Sequence, residues 1–443
     1  MDEALLHDLV QSALRAGADA AEAVTQDIRS LSVGVRMGEL EEVEREERRD
    51  LGLRVFIGRR QAVVSSSDLS PEVRTRLVER AVAMARLAPE DPYCGLAPKD
   101  RLAKGDGPDL ELYDPAELSP EALEQAARTA EAAARSVEGV ANSEGGSASW
   151  SAAAGRIVTS DGFSGFSQAS GFSISASAIA EDENGMERGG EGRSTRHLAD
   201  LPSPETIGTD AGLRAVSRLG ARKIDSCTAT VLFENRGSTQ VLSPFVGAIS
   251  GSAVARGVSF LKDKLGAQVF ARGVNVVDDP LRIRGLGSAF FDDEGVATAR
   301  RALIEDGVLT TWLLNSGAAR QLGMETTGHA SRGLADAPGV STHNFTLEPG
   351  AASPAELMRD AGQGLFVTSM FGPSLNSNNG DWSAGVSGFW FENGELAYPV
   401  TEITVAGNLI ELYARLIPAN DLEIRGSSNA PSLLIDGLAV AGR

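Results

Sequence analysis

The chain has 443 residues, 42% of them hydrophobic and 23% charged, with a formal net charge of −20. This length exceeds what one hydrophobic core ordinarily organises, so two domains are expected in a globular protein. The negative field argues against nucleic acid, no apolar run approaches the roughly 20 residues that span a bilayer, and Cys94 and Cys227 make no disulfide framework. The opening MDEALLHDLV carries acids in place of a basic leader region, so no signal peptide is expected and the cytoplasm is the expected compartment.

Leu5, Leu6, Leu9, Val10, Ala13 and Leu14 have helical spacing, so a helix is expected from Met1 to a stop at Gly17. From Ala21 to Ser66 the pattern turns to period two, punctuated by Gly38, Gly52 and Gly58, which predicts a meander of three or four antiparallel strands. Within it the mixed-sign run Glu39 to Asp50 reads as a solvated face. Helices follow at about Ser70 to Ala88, with Pro71 at its first position, and at about Ser119 to Val137. The Pro- and Gly-rich stretch between them reads as an extended loop. Val140 to Asp182 alternates small and apolar residues around an Asp161-Gly162 turn, predicting strands. The run ENGMERGGEGRSTRH is expected as an exposed loop, and a helix from about Pro204 to Leu219 closes the first domain. Beyond Thr228, short β-rich runs alternate with Gly-rich turns. Helices are expected at Leu242 to Ala255, Ser316 to Leu322 and Ser353 to Gly362, and Asn393-Gly394 is the strongest hairpin signal. The fold class is therefore α+β: an α/β domain with antiparallel strands over residues 1–221 and a β-dominated domain over 222–443.

Chemistry is sparse. The histidines are His7, His197, His329 and His343, and none lies within helical ligand spacing of another. His329 and His343 flank one turn-rich loop, so a joint site with Cys227 or Asp336 stands beside the plainer reading of ordinary hydrogen-bonded histidines. No strand leads into a Ser nucleophile elbow, and no phosphate-binding glycine motif occurs. NSNNGDWSAG (Asn376 to Gly385) gathers polar groups between apolar strands. Its Asn378, Asn379 and Asp381 suit either a self-bonded turn or a loop that contacts peptide or another subunit.

The segment Phe233 to Gly251, FENRGSTQVLSPFVGAISG, poses a sharper question. A strand, a polar turn and a helix follow one another, yet Ser238 to Ala255 holds no His, Cys, Asp, Glu, Lys or Arg. LSPFVGAISGSAV, FDDEGVATARRALIEDGVLTTWLLNSGAARQLG, TGHASRG and NNGDWSAGVSGFWFENGELAYPVTEITVAGNL together resemble the TldD/TldE (PmbA) metallopeptidase family, and its TldE/PmbA branch in particular. In the catalytic TldD branch this helix carries HExxxH, two zinc ligands and a general base, and a cysteine near the C-terminus completes the site. The resemblance lays that motif on Ser243, Pro244 and Ala248, and the cysteine segment on Arg425 to Pro431, where no cysteine stands. Ala248 has no lone pair, Ser243 is a poor zinc ligand and Pro244 cannot accept a proton.

The resemblance implies a TldE-like subunit with no catalytic residues, no metal and no cofactor of its own, the zinc being supplied by a TldD-like catalytic partner. Together they would degrade or process unfolded peptides, this chain shaping the chamber and positioning substrate; strand addition is one mode of holding such peptides, since it reads backbone rather than sequence. The rival reading is a homodimeric peptide-binding or scaffold protein without peptidase activity. A third is a self-sufficient hydrolase built around His329, His343 and Asp381.

Overall fold

The computed structural model describes residues 3–183 and 185–442. Helix α1 (Glu3–Arg15) buries Leu6, Leu9, Val10 and Ala13, the face its spacing predicts; Met1 and Asp2 lie outside the described residues. Three strands follow: β1 (Ala20–Arg36), β2 (Glu39–Ile57) and β3 (Arg60–Ser66), each antiparallel to the next. Gly52 does not interrupt the meander. It lies inside β2, where a Cβ would meet the Leu334 carbonyl oxygen at 2.6 Å, so it serves close approach of the second half of the chain. The run Glu39 to Arg49 is a strand exposed on both faces.

Helices α2 (Pro71–Leu87) and α3 (Pro120–Ser136) each begin at a Ser-Pro pair, and the loop between them holds only a 3₁₀ turn at Lys99–Arg101. The Ser119 hydroxyl accepts the Ala122 N–H, while Pro120 needs no acceptor for its nitrogen. Strands β4 (Val140–Thr159) and β5 (Ser164–Asp182) form the expected hairpin. The expected exposed loop after them is instead strand β6 (Gly185–Thr195), paired with β5 from Phe172 to Asp182. Its glycines hid it from a propensity reading, yet they serve packing: a Cβ on Gly189 would stand 2.2 Å from the Ala215 nitrogen of α4 (Pro204–Val216). The six strands form one sheet in the order β3-β2-β1-β4-β5-β6. Helices α1 and α2 cover its β3 side with a Leu/Val/Ala core, and α3 and α4 cover its β6 side with a core rich in alanine.

Strand β7 (Cys227–Phe233) leads directly into helix α5 (Asn235–Ala248). The polar run expected as a turn is thus the first part of the helix, which begins seven residues before the expected Leu242. Asn235 is fixed from outside: its N–H reaches the Ser432 hydroxyl at 3.1 Å and its side-chain amide the Asp421 carbonyl at 2.9 Å. The helix breaks at Ile249, and α6 (Gly251–Ala255) follows after a bridge from Ser250 to Leu313. The next elements are β8 (Val276–Asp278), β9 (Arg301–Glu305), β10 (Val308–Leu309), α7 (Ser316–Leu322), β11 (Ala330–Ser331), β12 (Gly339–Val340), β13 (Phe345–Leu347) and α8 (Pro354–Ala361). The chain ends with β14 (Gln363–Leu375), β15 (Asp381–Glu392), β16 (Glu395–Asn408), α9 (Leu409–Ala414), β17 (Ile417–Pro418), β18 (Ser428–Asn429) and β19 (Leu433–Ala441). Of the β-rich run at residues 307–315, only β10 is a strand and most of the rest is irregular. Asn393 and Gly394 turn the β15–β16 hairpin with φ of 53° and 86°, the left-handed pair that a two-residue turn requires.

One sheet runs β16-β15-β14-β7-β19-β17 and closes through β16–β19, so five of its strands form a barrel. A second runs β10-β9-β8-β13-β18. The large core they share with α5 includes Phe233, Phe245, Phe270, Phe345 and Tyr413, and the Tyr413 hydroxyl donates to the Val241 carbonyl of α5 at 2.8 Å.

Candidate functional site

Helix α5 is anchored by burial of Val241, Leu242, Phe245 and Ala248, which leaves Ser243 and Gly247 on its outer side. That side borders a cleft of about 530 Å³, shared with Phe260, Leu375 and Trp382. Ser243, Pro244 and Ala248 all line it. The lining is mostly apolar, and among the described residues no imidazole, thiol or carboxylate faces it, so these residues do not fit a catalytic zinc. Pro244 also lacks the N–H that would bond the carbonyl one turn back. The Nε1–H of Trp382 is buried without a partner among the described residues.

At Gln240 the cleft meets a second groove of about 880 Å³ between α5, the β4–β6 sheet and β14. Its walls carry Glu42, Glu144 and Glu191 with Arg188, Arg214, Arg218 and Arg236. Burial, with Arg425 nearby, pushes the Arg236 guanidinium down to about 10, and Glu191 accepts ion pairs from both arginines. Arg218, lowered by burial, is spent on the Arg188 and Thr368 carbonyls at 2.8 and 3.3 Å.

Asn378, Asn379 and Asp381 sit at the tip of the β14–β15 hairpin and do not line the cleft, although their neighbours Ser377 and Trp382 do. The tip bonds itself. Asp381 accepts from the Asn379 amide at 2.7 Å and the Asn408 amide at 2.9 Å, and Asn408 also caps α9.

His329 and His343 do converge, but on Asp278 rather than on Cys227 or Asp336, both of which are exposed. Asp278 Oδ2 lies 3.1 Å from His329 Nε2 and 2.9 Å from His343 Nδ1. Burial pushes Asp278 up, yet the hydrogen bonds from the two imidazoles overcome it and hold its carboxyl below the ordinary range. Burial pushes the His329 imidazole down. Sequence reasoning passed over Asp278 because a lone acid ending a short strand carries no signal of its own. It equally passed over Asp292 and Glu294, each only 3% exposed. Asp292 is pushed up to about 8 by burial and the Glu294 carboxylate, against backbone donors at Ala330, Glu294 and Val296.

The structure thus combines a helix-covered six-stranded sheet with a strand barrel, and the groove of about 880 Å³ lies between them. Three family models match in succession: PmbA/TldA metallopeptidase domain 1 over residues 21–85, the central domain over 113–219 and the C-terminal domain over 226–442. The metalloprotease PmbA of Escherichia coli O157:H7 is 38% identical over 444 residues, covering 99% of this chain and 96% of that protein. A PmbA homologue of Haemophilus influenzae is 37% identical, covering 98% and 94%. The chain belongs to the PmbA/TldD metallopeptidase family. A crystal structure of a putative modulator of DNA gyrase from Bacteroides thetaiotaomicron superposes with a TM-score of 0.91 at 28% identity, covering 100% of this chain and 99% of that one. TldE from Thermococcus kodakarensis shares the fold, with a TM-score of 0.87 at 20% identity over 99% of this chain and 100% of its own. No helix among the described residues is long and apolar enough to cross a membrane.

Proposed function

We propose that this chain is the non-catalytic subunit of a two-component zinc peptidase, pairing with a TldD-like chain that brings the metal and the general base. The observation that carries the reading is α5 itself: it lines a cleft, yet presents Ser243, Pro244 and Ala248 where two ligands and a base are needed. The role left to it is to wall the chamber and hold extended, unfolded peptides for the partner. Strand β14 supports that role. It pairs with β7 only over residues 365–367 and then runs past α5 to Leu375, and no strand pairs with that edge among the described residues. Such an edge binds backbone in a way indifferent to sequence, and the apolar cleft beside it suits intermittent apolar side chains.

The test mixes this chain with the host's TldD-like protein and assays cleavage of an unstructured peptide by each chain and by the pair. Co-purification and cleavage by the pair are expected. Chelator-sensitive cleavage by this chain alone would overturn the reading. Peptide binding with no peptidase partner would favour the homodimeric binding protein.

A further inference from the structure

Three segments distant in sequence bring ligating atoms to one place. Asp278 ends β8, His329 immediately precedes β11 and His343 lies two residues before β13. One ligand atom from each lies within 4.8 Å of the other two, and among the described residues this is the group of His, Cys, Asp and Glu so arranged. The side chains are 1%, 2% and 11% exposed, so the group is enclosed.

The supporting contacts orient the set. The His343 backbone N–H is shared between Asp278 Oδ1 at 2.9 Å and Oδ2 at 3.1 Å, and Oδ2 also faces the two rings. His329 Nδ1 lies 2.8 Å from the Thr327 hydroxyl, which also accepts the Leu314 N–H at 2.8 Å. The hydroxyl proton has two destinations. Placed on His329 Nδ1, it makes Nε2 the donor to Asp278, a fully satisfied metal-free cluster. Placed on the Leu314 or Trp312 carbonyl, at 3.3 and 3.4 Å, it leaves Nδ1 protonated and turns the Nε2 lone pair onto Asp278 Oδ2. That face then needs a cation between nitrogen and oxygen, either a proton, which makes His329 an imidazolium paired with Asp278, or a metal ion. Outer-sphere partners commonly fix the tautomer of metal-bound imidazoles in this way.

We propose that Asp278, His329 and His343 form a site for one first-row divalent ion, zinc being the best match, separate from any peptidase metal. A tetrahedral zinc with bonds of about 2.0–2.1 Å spaces its ligand atoms by roughly 3.3 Å. The observed N···O distances of 2.9 and 3.1 Å need to open by a few tenths of an ångström, and the two imidazole nitrogens, which lie within 4.8 Å of one another, come to the same spacing. Two imidazoles and one carboxylate select zinc and its neighbours over calcium and magnesium, which prefer oxygen. Enclosure keeps peptide away from the ion, so its role is to tie β8, β11 and β13 together. The site amends the expectation of a metal-free chain without restoring any ligand to α5.

The test uses the full chain, stripped with chelator and passed through gel filtration. Zinc is titrated in competition with a chromophoric chelator, and cobalt is added to read tetrahedral coordination from its visible bands. One equivalent per chain, tetrahedral cobalt bands and a raised melting temperature are expected. His329→Gln and His343→Gln should each weaken binding at least about tenfold, and Thr327→Val, near-isosteric and outside the first sphere, by about 10–100-fold. A folded, stripped chain that takes up no stoichiometric zinc or cobalt would overturn the proposal. Uptake unchanged in Thr327→Val and His343→Gln would overturn it too, placing the ion elsewhere. If the histidine variants do not fold, the wild-type cobalt spectrum and the Thr327→Val titration decide alone. None of these readouts involves the partner or peptide cleavage, so this site and the subunit reading fail independently.

Discussion

Replacing Glu22 by Gln should destabilise the chain by about 3–5 kcal/mol, the usual cost of stripping one member from a buried ion pair. Glu22, on β1, is 2% exposed and receives Arg54 of β2 and Arg332 of the second half, themselves 5% and 7% exposed. In Glu22→Gln the two guanidiniums lose the carboxylate they share, and Arg332 Nη2 already lacks a partner among the described residues. With an unfolding entropy of about 2.1 cal/mol/K per residue, 443 residues give about 0.9 kcal/mol/K. The melting temperature should therefore fall by about 3–5 °C. Calorimetry and urea unfolding measure both quantities. Glu22→Gln with Arg332→Met should lose less than the sum of the two single variants, because the second change removes the stranded charge. The exposed pair Arg45–Glu47, with side chains 74% and 54% exposed, sets the comparison, since such pairs contribute about 0–1 kcal/mol. A Glu22→Gln loss below about 1 kcal/mol would refute the argument that burial makes this contact a tether between the halves.

Asp292, pushed up to about 8 by burial, keeps a proton in the folded chain that the unfolded chain has released above about pH 4. Its contribution to stability is thus complete below about pH 4 and is lost as pH rises toward 8. Urea unfolding across that window should show a falling stability whose slope flattens in Asp292→Asn. Asp381→Ala removes the acceptor of the Asn379 and Asn408 amides, and should lower peptide cleavage by the assembled pair severalfold while circular dichroism stays unchanged. Unaltered turnover with pairing intact would make the hairpin tip a structural turn only. Ser243→His combined with Ala248→His should give no chelator-sensitive cleavage in the isolated chain, because Pro244 offers no base; a peptide-cleavage assay that detects it would contradict that expectation.

Local physics wrote much of this molecule into its sequence. Ser-Pro pairs mark the starts of α2, α3, α4 and α8 because capping and proline geometry are properties of adjacent residues. Asn393-Gly394 announces its hairpin because both residues tolerate positive φ, and the absence of an imidazole or carboxylate at Ser243, Pro244 and Ala248 is read directly because a side chain's functional group does not depend on its surroundings. Other features depend on partners that no local window contains. Strand β6 exists because β5 offers a ladder and α4 demands glycine at Gly189, against every propensity in ENGMERGGEGRSTRH. Helix α5 starts at Asn235 because Ser432 and Asp421, nearly 200 residues later, hold its first turn. Asp278 meets His329 and His343 across separations of 51 and 65 residues, and Glu22 meets Arg332 across 310. A charge becomes a tether or a ligand only when folding removes the water around it, and burial of that kind is a property of the assembled tertiary structure.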